Sequence, residues 1–520
     1  MNKSFSSNYI QTYIWQIISM VANFVSMFIV VPKISSQPAL FGIYSICISI
    51  AIYFSYADVG FVSSGTKYAS ESFAMNDLEE EIKTVGFVSF ILFAFVLLFD
   101  VVIVYFAFTP TALIANLKDP KEVAVASNLL FMLVLFSFAI VNQRILQVIY
   151  GVRVETYIYK KIFIVGSFFK IASVYFCFNN GKADIVEYFV ICQLVDLICS
   201  VISLLIAKKR YNYDLFLLLR SLRYSKRMFD KTKRLAFGSM YMTLMFVLYY
   251  EMDTMAIAKF LGPEELSYYA VGLSLLTFLR TLFSTLYAPF TARFNHFIAL
   301  KDLDSLRDLY LRIVVIIMPM VLFPIISLVV LMKPFIGCWV GVHYTASVVI
   351  AQLLIMSYSD SFYSYPASML IVAQEKVRML YVTTTLMTLI FWCGVFTTIS
   401  HLGTPSFALF KIISLVPTSV IYYRVTAKFL DLSPIDFAKR ILSPILPSCL
   451  FLVMSLMYLN RYMPVDKHVS NLLVVVSTGG FVSLIALSLY YLASAHFRGY
   501  SREFVKKVYD KMPSVLRTAG

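Results

Sequence analysis

The chain is poor in charge: 14% of its 520 residues are Asp, Glu, Lys or Arg, where a soluble globular domain carries about 25%. With 29 acids, 44 bases and 60% hydrophobic residues, it cannot cover a water-facing surface of this size, and a cytosolic enzyme, a secreted module and a disordered chain are all excluded. Metal-ligand spacing is missing as well. The seven cysteines (Cys47, Cys177, Cys192, Cys199, Cys338, Cys393 and Cys449) lie in or beside apolar runs and read as small buried hydrophobes. No His/Asp/Glu cluster suits a metal, and no Gly-rich loop precedes a Lys-Ser/Thr pair. The sequence therefore implies no cofactor, no metal and no ATP-driven engine.

What the chain does have is long apolar runs. A helix crossing about 30 Å of hydrocarbon needs about 20 mostly apolar residues. Fourteen such windows occur, at 9–30, 38–62, 84–108, 123–143, 162–178, 187–207, 235–258, 266–290, 310–332, 344–372, 379–398, 404–423, 441–459 and 470–495. The fold class is thus an all-α polytopic membrane protein. The window 344–372 is long enough to tilt or break. The first window has no cleavage-like site before it and reads as an uncleaved span.

Placing the N-terminus inside sends about three quarters of the 44 Lys and Arg to cytoplasmic loops and tails, as the positive-inside rule requires. Both termini are then cytoplasmic. The net charge of +15 belongs to these loops and not to nucleic-acid binding. The longest inner connection, 208–234, opens with Lys208-Lys209-Arg210 and closes with Lys231, Lys233 and Arg234. It reads as a linker between an N-terminal lobe (1–207) and a C-terminal lobe (235–425), followed by two further helices and a basic tail (426–520). Within it, Leu215 to Leu219 precede Arg220, Arg223, Lys226 and Arg227, which suits either a short helix on an anionic leaflet or a plain orienting linker. A weak parallel repeat, Lys33 on Lys259 at a shift of 226, agrees with two lobes. The outer loops are short, the longest being 109–122, and leave no room for a catalytic lobe outside the membrane.

Ionisable groups inside spans carry the functional reading, because burying one without a partner or water costs several kcal/mol. They are Asp58, Asp100, Lys170, Asp196, Glu251, Asp253, Arg280, Asp360 and Lys411, with Arg312 at a span end. Together they imply a polar, water-filled cavity between lobes. Glu251 and Asp253 are two residues apart and cannot face one way on a helix. One acid can pair with Arg280 while the other lines water, which allows a structural salt bridge or a site where Arg280 binds an anionic group and an acid exchanges a proton or sodium ion. Lys170 and Lys411 would extend the positive side, or snorkel. Asp196, Asp360 and Asp58 are further ion-coupling candidates. Asp360 lies in Ser357-Tyr358-Ser359-Asp360-Ser361 ahead of Pro366, which predicts a kinked, hydroxyl-lined helix facing water. Most of the 35 tyrosines must be packing or interface anchors. Tyr249, Tyr250, Tyr268, Tyr269, Tyr358 and Tyr363 sit close enough to the charges to stack on sugars.

The run Val31-Pro32-Lys33-Ile34, then Leu40-Phe41-Gly42-Ile43-Tyr44-Ser45, Tyr53-Phe54-Ser55-Tyr56-Ala57-Asp58-Val59-Gly60 and Lys67-Tyr68-Ala69 resembles the N-terminal signature of Wzx-type polysaccharide flippases, within the multidrug/oligosaccharidyl-lipid/polysaccharide exporter superfamily. Gly262-Pro263-Glu264 through Tyr268-Tyr269-Ala270 repeats it more weakly, with Ser267 where the family has glycine. Phe41, Val59 and Lys67 are mild departures. The resemblance implies two six-helix lobes in a V with an extra C-terminal helix pair, in a bacterial inner membrane. It implies a lipid-linked oligosaccharide as cargo, an undecaprenyl-pyrophosphate-linked O-antigen or related repeat unit moved from the cytoplasmic to the periplasmic leaflet by H+ or Na+ antiport. A polymerase and a chain-length regulator of the same pathway would be partners. An ion-coupled multidrug exporter of the same superfamily, a membrane polysaccharide polymerase and a non-transporting scaffold are the competing readings.

Overall fold

A computed structural model describes residues 3–56, 60–117, 119–178 and 184–511. Among these residues every regular element is helical. The chain divides into two compact units, 1–274 and 275–520.

In the first unit α1 (Lys3–Ile34), α2 (Pro38–Tyr56), α4 (Leu78–Phe108), α6 (Pro120–Val152), α7 (Tyr157–Cys177) and α8 (Ile185–Tyr211) match the first six expected spans. Their starts follow from ordinary capping chemistry. Asp77 accepts the Glu80 N–H at 2.9 Å, Asp119 accepts from Lys121 with Pro120 at the first helical turn, and Asp184 accepts from Glu187. Two short helices, α3 (Phe61–Ala74) and α5 (Pro110–Leu113), occupy segments that read as loop or span end. The basic linker contains α9 (Leu215–Arg220), capped by Asp214, so the apolar part of the run and Arg220 are helical, while Arg223 lies in the turn that follows and Lys226 and Arg227 begin the next helix. It does not end the unit: α9 packs on α4, and α10 (Lys226–Tyr250) and α11 (Met252–Phe260) pack on α3 and α2. The compact unit therefore reaches Ser274, past the position expected for the boundary between lobes.

The window 235–258 is not one helix. It breaks at Glu251, between α10 and α11, with no proline nearby. The Tyr53 hydroxyl donates to the Glu251 carbonyl at 2.7 Å and the Thr254 hydroxyl donates to it at 2.8 Å. Insertion of side-chain donors into the helical ladder is a sufficient cause for such a break. Next, α12 (Pro263–Ala299) begins in the first unit and ends in the second.

The second unit adds α13 (Leu303–Val330), α14 (Met332–Trp339), α15 (Ser347–Met356), α16 (Ser361–Ala373), α17 (Val377–Leu402), α18 (Pro405–Phe429), α19 (Pro434–Phe437), α20 (Leu446–Leu459), α21 (Val469–Ala493) and α22 (Ala495–Lys511). Eleven helical stretches among the described residues are long and apolar enough to cross a membrane singly. α7, the broken pair α10/α11 and the broken pair α15/α16 supply the other three expected crossings. The window 344–372 does break, but at 357–360 and not at Pro366, which lies buried inside α16. Nearby carbonyls are taken up by tyrosines: Tyr287 donates to Ser361 O at 3.0 Å and Tyr310 to Tyr363 O at 3.3 Å. The hydroxyl-lined stretch also faces inward more than water. Ser357, Tyr358 and Ser361 are buried, and the Ser357 and Ser359 hydroxyls donate back to helix carbonyls. Of the cysteines, five are buried, Cys449 is half-buried and Cys393 is exposed.

Candidate functional site

Each unit holds its own set of the expected residues. In the first, Asp253 is fully buried on α11; its carboxylate accepts the Thr254 backbone N–H at 2.8 Å and the Tyr269 hydroxyl at 2.5 Å. Glu251 is buried at the helix break two residues earlier. Tyr249 and Tyr250 meet edge to face with ring centroids 4.6 Å apart, and Tyr250 also packs on Phe246. Tyr249 and Tyr269 are both 0% exposed, so neither ring offers a face for sugar stacking in this conformation. Tyr269 instead acts as the hydrogen-bond donor that satisfies Asp253. The Tyr268 hydroxyl donates to Glu264 one helical turn away. Asp58 lies outside the described residues.

Lys170 and Asp196, expected to serve a substrate anion and a coupling ion, meet each other: Nζ and carboxylate are 2.6 Å apart between α7 and α8, with side chains 25% and 20% exposed. Beside them lies a polar, partly open cavity of about 250 Å³ bordered by α1, α6 and α7, with Lys170 in its lining. Asp100, buried between α4 and α6, accepts the Ser137 hydroxyl at 2.8 Å.

In the second unit Arg280 is half-buried on α12 and its charge acts on Tyr365, which stacks on Tyr287 at 5.0 Å. Asp360 sits in the turn between α15 and α16 and accepts a hydrogen bond from Ser419 of α18. Tyr358 stacks with Phe283, and Tyr363 packs on Tyr423. Lys411 is 2% exposed, its ammonium 5.8 Å from the centre of the Phe391 ring, an arrangement of interior packing and not of snorkelling. Arg312 bonds Asp308 and Glu503 of α22, consistent with an anchor at a span end.

Sequence reasoning missed one charged cluster. At the ends of α4, α6 and α8 in the first unit, Arg153 forks onto both oxygens of Glu81 at 2.7 and 2.9 Å, and the two side chains are 7% and 0% exposed. Phe73, Tyr211 and Tyr213 ring the guanidinium at 4.6–5.7 Å. Next to it Glu155 accepts from Arg210, Tyr211 and Asn8. Burial pushes the Glu155 carboxyl up, but those donors outweigh it and hold the group below the usual carboxylate range. Both acids and Arg153 fall in loops of the sequence reading, where charge is unremarked.

No family model and no curated protein matches the chain in sequence. Solved structures do match in fold. A structure of the lipid II flippase MurJ in an inward closed conformation is 13% identical, with a TM-score of 0.66 over 91% of this chain and 99% of its own. An inward-facing multidrug resistance MATE family transporter of the MOP superfamily is 12% identical, TM-score 0.62, over 82% of this chain and 99% of its own. A MOP superfamily transporter from Pyrococcus furiosus is 15% identical, TM-score 0.55, over 82% of this chain and 96% of its own. The chain thus has an all-α polytopic membrane fold, structurally related to that of the MOP superfamily and close to the MurJ architecture over nearly its whole length.

Proposed function

We propose that this protein is a flippase that moves a lipid-linked oligosaccharide, an undecaprenyl-pyrophosphate-linked repeat unit of O-antigen or a related surface polysaccharide, from the cytoplasmic to the periplasmic leaflet of a bacterial inner membrane by alternating access. The observation that carries the reading is coverage: the lipid II flippase accounts for 91% of this chain, against 82% for the drug transporter. The difficulty of the reaction is physical. A large polar head must cross hydrocarbon while its polyprenyl tail stays in lipid, and cationic side chains at membrane depth lower that barrier for a diphosphate. Arg280 and Lys170 serve the head group in this reading, Lys411 supports the positive field from within the second unit, and Glu251, Asp253, Asp196 and Asp360 are the candidates for H+ or Na+ coupling. Tyr250, Tyr268 and Tyr363 keep their candidacy for sugar contacts; Tyr249, Tyr269 and the buried Tyr358 require a conformation that uncovers them. A polymerase and a chain-length regulator would act on the delivered unit.

A strain lacking the gene tests this. Lipid-linked repeat units trapped on the cytoplasmic side, with no surface polymer, are expected; surface-exposed single repeats would assign the chain to polymerisation instead. Arg280→Ala is expected to abolish surface glycan at normal protein level, and Arg280→Lys to restore it only in part, since an ammonium cannot fork onto phosphate. A multidrug exporter is the second reading, favoured by the 0.62 TM-score to a MATE transporter. It calls for drug hypersensitivity with intact glycan in the same strain.

A further inference from the structure

The linker segment around α9, which in sequence suits a leaflet-bound helix or a plain divider, has a definite depth in the fold. The Asp214 carboxylate accepts the Phe216 and Leu217 N–H groups at 2.9 and 3.0 Å, and α9 packs on α4 with Leu218 only 6% exposed. The turn after it follows α4 closely. A Cβ on Gly86 would fall 2.5 Å from the Ser221 Cβ, and the Tyr224 ring lies 6.4 Å from that of the buried Phe87. Gly86 and Phe87 stand in the first turn of the third apolar window, 84–108. A segment lying against them runs at the edge of the hydrocarbon and not out in the cytoplasm.

What this segment turns away from the unit is apolar and basic by turns. Phe216, Leu219 and Tyr224 are 75%, 65% and 55% exposed, and Leu222 is exposed beside them. Phe216, Leu219 and Arg220 fall at i, i+3 and i+4, on one face of α9. Arg220, Arg223 and Lys226 are exposed, and among the described residues no carboxylate lies within ion-pairing distance of them. The bases further along α10 do have partners: Arg227 and Lys231 share Glu80 at 3.0 and 4.0 Å, and Lys233 holds Asp230 at 2.6 Å. The acids of the unit thus serve α10 and leave the bases nearest α9 without counter-charge. An anionic leaflet complements such a surface on both counts, since rings and leucines enter the acyl boundary while the cations meet head-group phosphate. A second copy would bring the same positive charge to the same place, and a soluble acidic partner would leave the apolar side chains without hydrocarbon.

We propose that α9 and the turn that follows it form an interaction surface for the cytoplasmic leaflet itself, with acidic phospholipid of the phosphatidylglycerol class as the partner. Phe216 and Leu219 enter the acyl boundary, and Arg220, Arg223 and Lys226 hold the head groups. The lipid engaged is the bulk leaflet and not a cargo, so the surface stands whatever the chain transports. It fixes the connection between the sixth and seventh spans at one depth.

The test uses the full chain with Cys393→Ser and Cys449→Ser, which remove the exposed and half-buried thiols, and a bimane label on Phe216→Cys. Nanodiscs are made of phosphatidylcholine alone or with about one third phosphatidylglycerol. Lipid brominated near the top of the acyl chain and aqueous iodide are the two quenchers, and their relative effect gives the ratio of inserted to free segment. With phosphatidylglycerol present, quenching by the brominated lipid is expected to dominate. Each basic side chain near an anionic leaflet shifts the ratio roughly fivefold, so Arg220→Gln with Arg223→Gln should lower it about thirtyfold. Omitting phosphatidylglycerol should lower it as well, and Arg220→Lys with Arg223→Lys should retain it, which separates lost charge from misfolding. A label on Asp304→Cys, exposed in the first turn of α13, should answer to iodide in every disc. Equal insertion with and without phosphatidylglycerol, or a label at 216 quenched by iodide alone, overturns the surface. A label shielded from both quenchers overturns it too, and points to a second copy or another protein as the cover.

Discussion

Arg153 and Glu81 are 72 positions apart and each, by itself, is an ordinary loop charge; nothing in local spacing joins them. Only the packing of α4 against α6 makes them a buried, forked pair ringed by three aromatics. Removing one partner of such a pair leaves an uncompensated buried charge, at a cost of about 3–5 kcal/mol. Arg153→Ala is therefore expected to lower the thermal midpoint in detergent strongly, while the double substitution Arg153→Met with Glu81→Met recovers most of the loss. Equal midpoints for the single and double variants would contradict this. Glu155 gives a pH signature. Its carboxyl is held below its unfolded value of about 4.3, so its contribution is present above that pH and is lost as pH falls through the folded value. Glu155→Gln should flatten the fall in stability on the acid side, read as thermal midpoint against pH, and leave the neutral range free of any new slope. Asp253 and Lys170 were legible as charges out of place in apolar runs. Their pairing with Tyr269 and Asp196 was not legible, because each partner lies on another helix face whose rotation the sequence does not set.

At the scale of elements, two glycines explain why the motif that carries the resemblance takes the form it does. A Cβ on Gly42 would fall 1.7 Å from the Pro263 carbonyl oxygen, so α2 meets the Gly262-Pro263 corner by backbone contact. Gly60 has φ of 80° and lies against the Ala236 carbonyl, which strains any other residue on both counts. The corner is held further by Ala115 N–H donating to Ala258 O at 2.9 Å and by Asn116 donating to Leu261 O. Gly42→Val should sharply reduce folded protein by fluorescence-detected size exclusion, whereas Gly480→Val, with open space around its Cβ position, should not; equal yields would remove the close-contact account. Spans were legible from length and hydropathy. The breaks at Glu251 and at 357–360 were not, because the hydroxyls that stabilise the Glu251 break and take up carbonyls of α16 come in large part from other helices, Tyr53 in one case and Tyr287 and Tyr310 in the other.

For the whole molecule, the class follows from one imbalance, too little charge for the length, and the crossing count follows from hydrophobic windows whose basic flanks alternate. The extent of the compact units was less legible: the basic segment 208–234 looks like a divider, yet the residues after it pack on α2 and α3, and the first unit runs on to Ser274. The proposed transport of a lipid-linked cargo can be followed with the purified chain in proteoliposomes. With a fluorescent undecaprenyl-diphosphate-linked oligosaccharide in both leaflets and an impermeant quencher outside, the account expects the quenched fraction to rise from about half toward completion. The rate should exceed that of empty vesicles and respond to an imposed H+ or Na+ gradient, and Arg280→Ala should bring it back to the empty-vesicle rate. A quenched fraction that stays at the outer-leaflet share for the intact chain would contradict the account.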